Sequence, residues 1–175
     1  IATTRPELLP ACVAVFFNPK DNRYVNLIDK KIITPLGDKV NLLADELVSI
    51  DKGSGVVMCC TFGDETDLLW VRKYKLPQRV IINGEGKIEN VGNAPYLAGL
   101  STKEARKKII EILKIEGFVT KEKEITHKVG VHERCSTPVE IIPRTQWFVK
   151  ILEKKELLLQ AGEKINWYPA HMKKR

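Results

Sequence analysis

Lys52-Gly53-Ser54-Gly55-Val56-Val57-Met58-Cys59-Cys60-Thr61-Phe62-Gly63-Asp64-Glu65-Thr66-Asp67 is the stretch that decides how this chain folds. Gly53 and Gly55 permit a tight turn. Gly55 to Thr61 is an apolar, β-rich run that reads as the clearest strand, and Gly63 closes it. Asp64 then stands where a helix should begin, because an N-cap carboxylate accepts backbone N–H bonds and faces the positive end of the helix. Asp67 follows within the same turn, so two carboxylates sit together at a helix start and suit a cationic or hydroxylated ligand. Leu68, Leu69, Val71 and Tyr74 give the predicted core face of this helix, and Leu76-Pro77 ends it.

Upstream, Cys12 to Phe17 reads as a buried strand closed by Asn18-Pro19, Pro35-Leu36-Gly37-Asp38 as a turn, and Val40 to Ile50 as a strand with a loop. Downstream, Val80 to Glu89 reads as a hairpin around Asn83-Gly84-Glu85-Gly86. Ser101 and Glu104 form a capping box, Ala105, Ile109, Ile112 and Leu113 a buried stripe, and Gly117 a helix stop. Strands are expected again at Phe118 to Val119, Lys128 to Val131 and Val139 to Ile142, and a last helix from about Gln146 to Gln160. No internal repeat or low-complexity tract interrupts the pattern.

A chain of 175 residues that is 43% hydrophobic can bury a substantial core, so one domain with an appendage is the natural expectation. The net charge of +7 favours an anionic partner such as nucleic acid, although a solvated surface produces the same balance. No apolar run approaches the roughly 18 residues of a membrane span, and the start does not resemble a signal peptide. Cys12, Cys59, Cys60 and Cys135 follow no disulfide framework, which points to reduced thiols in a cytoplasmic protein with no membrane partner. The opening at Ile1 and the tail through Trp167-Tyr168-Pro169 lead to the expectation of a piece of a larger chain.

Ile1-Ala2-Thr3-Thr4-Arg5-Pro6-Glu7 is the second stretch with chemistry. Two hydroxyls beside a guanidinium, ahead of a proline that disfavours helix before it, suit phosphate or ribose oxygens; Thr-Thr in an edge strand is the plainer alternative.

Thr3-Thr4-Arg5-Pro6-Glu7, the Gly53 to Val57 strand with Asp64 and Asp67 after it, and Arg144-Thr145-Gln146-Trp147-Phe148-Val149-Lys150 together resemble the inserted editing domain of class I aminoacyl-tRNA synthetases for branched aliphatic amino acids. Cys60 to Asp67 and Glu133-Arg134-Cys135-Ser136-Thr137-Pro138-Val139-Glu140 look most like the valyl enzymes of archaeal or eukaryote-like type, with the isoleucyl editing domain as the alternative. The resemblance implies a mixed α and β fold: a β-barrel-like core with peripheral helices, residues 1–145 forming the editing domain and 146–175 a C-terminal helix and return segment.

The same resemblance implies hydrolysis of threonine mistakenly esterified to valine-specific tRNA. A hydrophobic pocket cannot strongly reject an isostere that adds a hydroxyl, a limit for which the valyl enzymes are themselves the standard example, so a second site must demand that hydroxyl. By resemblance Asp67 anchors the substrate ammonium and Asp64 reads the hydroxyl, with a plain N-cap as the alternative for Asp64. Thr3 and Thr4 line the pocket near the ester, and Arg5 holds the terminal adenosine or its phosphate. The implied partners are the acceptor end of tRNA(Val), a threonyl ester or adenylate, and the remainder of the synthetase chain. No cofactor is expected for this domain, whereas the full-length enzyme is expected to use ATP and Mg.

Many bacterial valyl enzymes carry a lysine where Met58 stands and a threonine where Cys60 stands. Thr61 is counted among the substrate-binding residues with Arg5, Asp64 and Asp67, although it supplies its hydroxyl only if the strand slips by one residue, which turns it to the other face. His127, His132 and His171 lie far from both motifs, and no nucleophile with a base is evident, which favours attack by water. His132 and Cys135 are half of a zinc pattern without its other half, so no metal is expected. Trp147, Phe148, Trp167 and Tyr168 read either as a stacking surface for RNA or as packing residues, and the basic runs Lys103 to Lys108 and Lys173 to Arg175 as a solvated face or as tRNA contacts. A non-catalytic tRNA-binding module is the rival reading; a metal-dependent hydrolase has little support.

Overall fold

The computed structural model describes residues 1–174, which divide into two compact units, Ile1–Pro143 and the residues from Arg144 on. The first unit is built on four strands: β1 (Ala14–Phe17), β2 (Lys31–Ile33), β3 (Lys39–Ala44) and β4 (Val56–Cys59). They lie in the order β2-β3-β1-β4, with β1 parallel to β3 and antiparallel to β4, and β2-β3 a hairpin. Gly37 turns that hairpin at φ 82°, a conformation that glycine adopts without strain.

β1 is buried on both faces, each of its residues at 1% exposure or less. Its pleat sends Val15 and Phe17 into one core and Ala14 and Phe16 into another. Two helices supply the partners: α1 (Glu65–Lys73) brings Trp70 and Val71 to the Phe16 side, and α2 (Thr102–Ile115) brings Ala105, Ile109 and Leu113 to the other. Phe16 stacks on Trp70 with ring centroids 4.3 Å apart.

The mixed α and β class is therefore present, but the sheet is open. β2 and β4 are its two edges, and four strands of three to six residues do not close a barrel among the described residues. Three local expectations also change. The buried face of α1 is Asp67, Trp70 and Val71, while Leu69 is exposed. No strand forms at Phe118–Val119, Lys128–Val131 or Val139–Ile142; a single bridge, Val131 to Pro138, remains, and Pro138 has no amide to extend a ladder. In the second unit the helix begins later than Gln146. A 3-10 turn at Ile151–Lys154 leads into α3 (Lys155–Glu163), because Trp147-Phe148-Val149 favours extended backbone and offers no cap. Trp167 Nε1 closes the end of α3 by donating to the Gly162 carbonyl at 2.8 Å.

Other local features form as the sequence predicts. Ser101 and Glu104 make both bonds of the capping box, Gly117 ends α2 at φ 75°, and Ile82 bridges Ile88 across the Asn83–Gly86 turn. A 3-10 helix at Pro6–Ala11 precedes β1 and packs on α2. It carries Glu7, a fully buried carboxylate that accepts from Arg106 Nε and Nη2 at 2.9 and 2.7 Å and from Arg5 Nε at 3.0 Å. Removing one member of a buried charge group strands the others. Glu7→Gln is therefore expected to lower stability by about 3 kcal/mol, read as a shift of the urea midpoint at unchanged slope.

Candidate functional site

The turn between β4 and α1 holds the best-defined candidate site. β4 ends on Cys59, and Cys59 and the following Cys60 both lie in the interior, at 0% and 3% exposure. Thr61 then turns the chain with φ 51°, an unusual conformation for a β-branched residue, and its Oγ1 donates to the Arg79 carbonyl at 2.7 Å. Asp64 caps α1 as the sequence predicts: its Oδ1 accepts from the Asp67 amide at 2.9 Å, and its side chain stays at the surface.

Asp67 is different. It lies on the face of α1 that Trp70 and Val71 anchor, and that packing carries it to 7% exposure. Gly63 makes room for it, since a Cβ there would clash with Asp67 Oδ2. No ion pair reaches Asp67 among the described residues. Burial, with the nearby Asp64 charge adding to it, raises its carboxyl from 3.8 to about 6, against bonds from the Cys60 and Asp64 backbone and the Cys59 thiol.

Asp45 gives the contrast. It is also buried, at 4% exposure, beside the other end of α1. Burial works to raise it too, but Lys73 Nζ and the Tyr74 hydroxyl lie 2.7 and 2.8 Å from its Oδ2 and the Leu47 amide donates at 2.9 Å, so it falls to about 2. One interior aspartate lies in the first turn of α1 and the other beside its far end, and only the one without a cation has its pKa pushed upward.

The cysteines beside Asp67 are not activated. Burial first, then the Asp67 charge, pushes the Cys59 thiol far up, and the contact with Cys12 together with burial does the same to Cys60. Both stay protonated at neutral pH. A narrow cleft of about 10 Å³, room for a single water, runs beside the turn between Leu8, Cys60, Phe62 and Ile81.

The other predicted residues separate from this pair. Ala2 packs against Gly53, which places the N-terminal arm at the far end of β4 from Asp64. Thr3 and Thr4 are exposed, and Thr3 Oγ1 accepts from the Arg5 amide at 3.0 Å. Arg5 does not present a free guanidinium: Nε is taken by Glu7 and Nη2 by Glu140 at 2.6 Å. Thr61 lies in the same turn as the aspartates, but its hydroxyl is spent on Arg79 and the residue is fully buried. Met58 is half-buried opposite Val15, and Cys60 is interior, so neither offers a polar group to the surface.

Sequence reasoning misses Glu7, Arg106 and Glu140. The available signal is a glutamate inside the apolar run Pro6-Glu7-Leu8-Leu9, whose burial demands cations. Cys135 Sγ does meet His132 Nδ1 at 3.3 Å and Thr137 Oγ1 at 3.1 Å, but no group of three metal-ligating side chains converges among the described residues.

No protein-family profile matches the chain. Curated relatives do. Valine–tRNA ligases of Rickettsia typhi and Rickettsia prowazekii are 54% and 53% identical over 176 residues, and that of Ehrlichia canis is 48% identical over 182; each match covers 100% of this chain. It covers only 22% to 23% of those ligases, so the chain spans about a fifth of their length. Over its whole length the chain is thus similar to a segment of bacterial valine–tRNA ligases.

Proposed function

We propose that this segment is the proofreading module of a valyl-tRNA synthetase, which hydrolyses the ester joining mischarged threonine to the terminal ribose of tRNA(Val). Asp67 is the observation that carries this reading. A buried carboxylate with no cation costs stability, and the Cys60 and Asp64 backbone and the Cys59 thiol that bond it leave its charge unneutralised. The α-ammonium of an aminoacyl ester is a cation that supplies the missing charge.

Asp64 Oδ1 is occupied by the cap bond, which leaves its second, solvent-facing oxygen for the threonine hydroxyl. Valine has no group for that oxygen, and the selectivity comes from this missing hydrogen bond. Leu8, Phe62 and Ile81 offer an apolar wall for the substrate methyl once the cleft widens. Thr3 and Thr4, at the far end of β4 from the aspartates, reach the ester on this reading only if the arm moves, and Arg5, bound to Glu7 and Glu140, anchors the base of that arm rather than gripping phosphate.

With the ammonium fixed, the oxygen of a water molecule bonds to the carbonyl carbon and the bond from that carbon to the ribose oxygen breaks; the neighbouring ribose hydroxyl assists by donating to the departing oxygen, which takes up the water's proton and leaves as a free hydroxyl. Orientation of this kind lowers a barrier by several kcal/mol. Cys59 and Cys60 take no covalent part, because their thiols stay protonated. The module is read as an insertion in the ligase, residues 1–145 editing and 146–175 returning toward the body, where ATP and Mg act. The archaeal or eukaryote-like cast of Cys60 to Asp67 is part of the proposal, within a chain whose relatives are bacterial.

In the full-length ligase carrying this segment, Asp67→Ala should abolish deacylation of threonyl-tRNA(Val) while valine charging persists; retained deacylation rejects the assignment. Asp64→Ala should keep hydrolysis but lose the preference for threonyl over valyl ester, and an unchanged preference removes Asp64 from selection. The pH dependence comes from Asp67: binding the ammonium needs its ionised form, so kcat/KM for deacylation should fall as pH drops through about 6. The stability effect has the opposite sense. The folded pKa lies above the unfolded one, so stability falls as pH rises from about 4 to about 6, and the whole penalty is present above that range. Asp67→Asn should therefore raise stability at neutral pH by on the order of 2 kcal/mol, with little gain at pH ~4, as read by urea denaturation.

A further inference from the structure

We propose that Thr61 is a positioning residue for Asp67: its left-handed backbone and its hydroxyl bond to the Arg79 carbonyl hold the β4–α1 turn in the one shape that keeps the Asp67 carboxylate buried and unpaired. The inference rests on the reading of Asp67 as the ammonium anchor, and it moves Thr61 from touching substrate to shaping the wall behind it.

Backbone strain marks the position. A β-branched residue at φ 51° is costly, and such outliers persist only where surrounding contacts over-determine them. Thr61 has those contacts. It is fully buried, and its Oγ1 donates at 2.7 Å to Arg79, whose own Nη1 donates to the Pro10 carbonyl at 2.8 Å and to Asp38 Oδ2 at 3.0 Å. Through Arg79 the turn is tied to the 3-10 helix ahead of β1 and to the β2–β3 turn, two elements outside its own sequence neighbourhood.

The bend at Thr61 then sets the course of the next two residues. Phe62 N donates back to the Cys60 carbonyl at 2.6 Å, so the chain reverses at once and lays the Gly63 backbone directly on Asp67 Oδ2. Gly63 has no side chain to push the carboxylate away, and the Cys60 backbone bonds it as well. An extended Thr61 would swing both groups off the carboxylate and open it to water. The hydroxyl is the part of Thr61 that substitution can remove without changing shape, because valine is its isostere.

Two measurements decide the matter. In the full-length ligase, Thr61→Val should raise KM for threonyl-tRNA(Val) deacylation about tenfold with kcat little altered and move the acid inflection of kcat/KM downward from about 6, while Thr61→Ser, which keeps the hydroxyl, should return both to within about twofold of wild type. An unmoved inflection and unmoved KM in Thr61→Val overturn the proposal, as does a serine variant no better than valine. The second measurement needs no deacylation. In the 175-residue chain, the part of the pH dependence of urea unfolding between pH ~4 and ~6 that belongs to Asp67, read as the difference from Asp67→Asn, should be weakened in Thr61→Val and retained in Thr61→Ser. A ligase that does not deacylate at all removes the proofreading reading, and the unfolding comparison still tells whether Thr61 holds Asp67.

Discussion

Burial of β1 on both of its faces is the constraint on which the rest of the first unit depends. A strand with no exposed side needs a helix on each face, and the pleat leaves no freedom over which residues meet which helix. Phe16 chooses Trp70, and Trp70 fixes the roll of α1. Asp67 sits three residues before Trp70, on the same helical face, so the aromatic contact that closes the core also draws a carboxylate inside it. Apolar packing outweighs the desolvation of one charge: a stacked aromatic pair and two buried apolar side chains together contribute about 5 kcal/mol or more, against a penalty of on the order of 2 kcal/mol for Asp67.

This balance explains which parts are legible in the sequence. Asp64 and the Ser101–Glu104 box depend on groups within four residues of one another, so local pattern is enough. The face of α1 is not, because Leu68 and Leu69 count as apolar in the pattern while the tertiary partner is Trp70. Arg5 escapes local reading for a related reason: its commitments include Glu140, 135 residues away, which no local window contains. The strands expected after Gly117 fail because a strand needs a neighbour as well as propensity, and the charged run Lys121-Glu122-Lys123-Glu124 offers none.

For the site, the sequence carries the pair of aspartates but not the difference between them. Asp64 is a surface cap and Asp67 an interior charge, and that asymmetry comes from the phase of one helix. The absence of polar groups at Met58 and Cys60 places more weight on these two carboxylates, since the thiols around them are held protonated.

The Glu7 cluster also sets an order of events during synthesis. Arg106 leaves the ribosome 99 residues after Glu7. Arg5 likewise waits for Glu140, 135 residues on. At typical elongation rates of about 5–20 residues per second, the carboxylate waits roughly 5–20 seconds for its second cation. Until then the 3-10 helix cannot dock without burying a charge that only Arg5 offsets, so the N-terminal arm is the first part of this unit to be made and among the last to be secured.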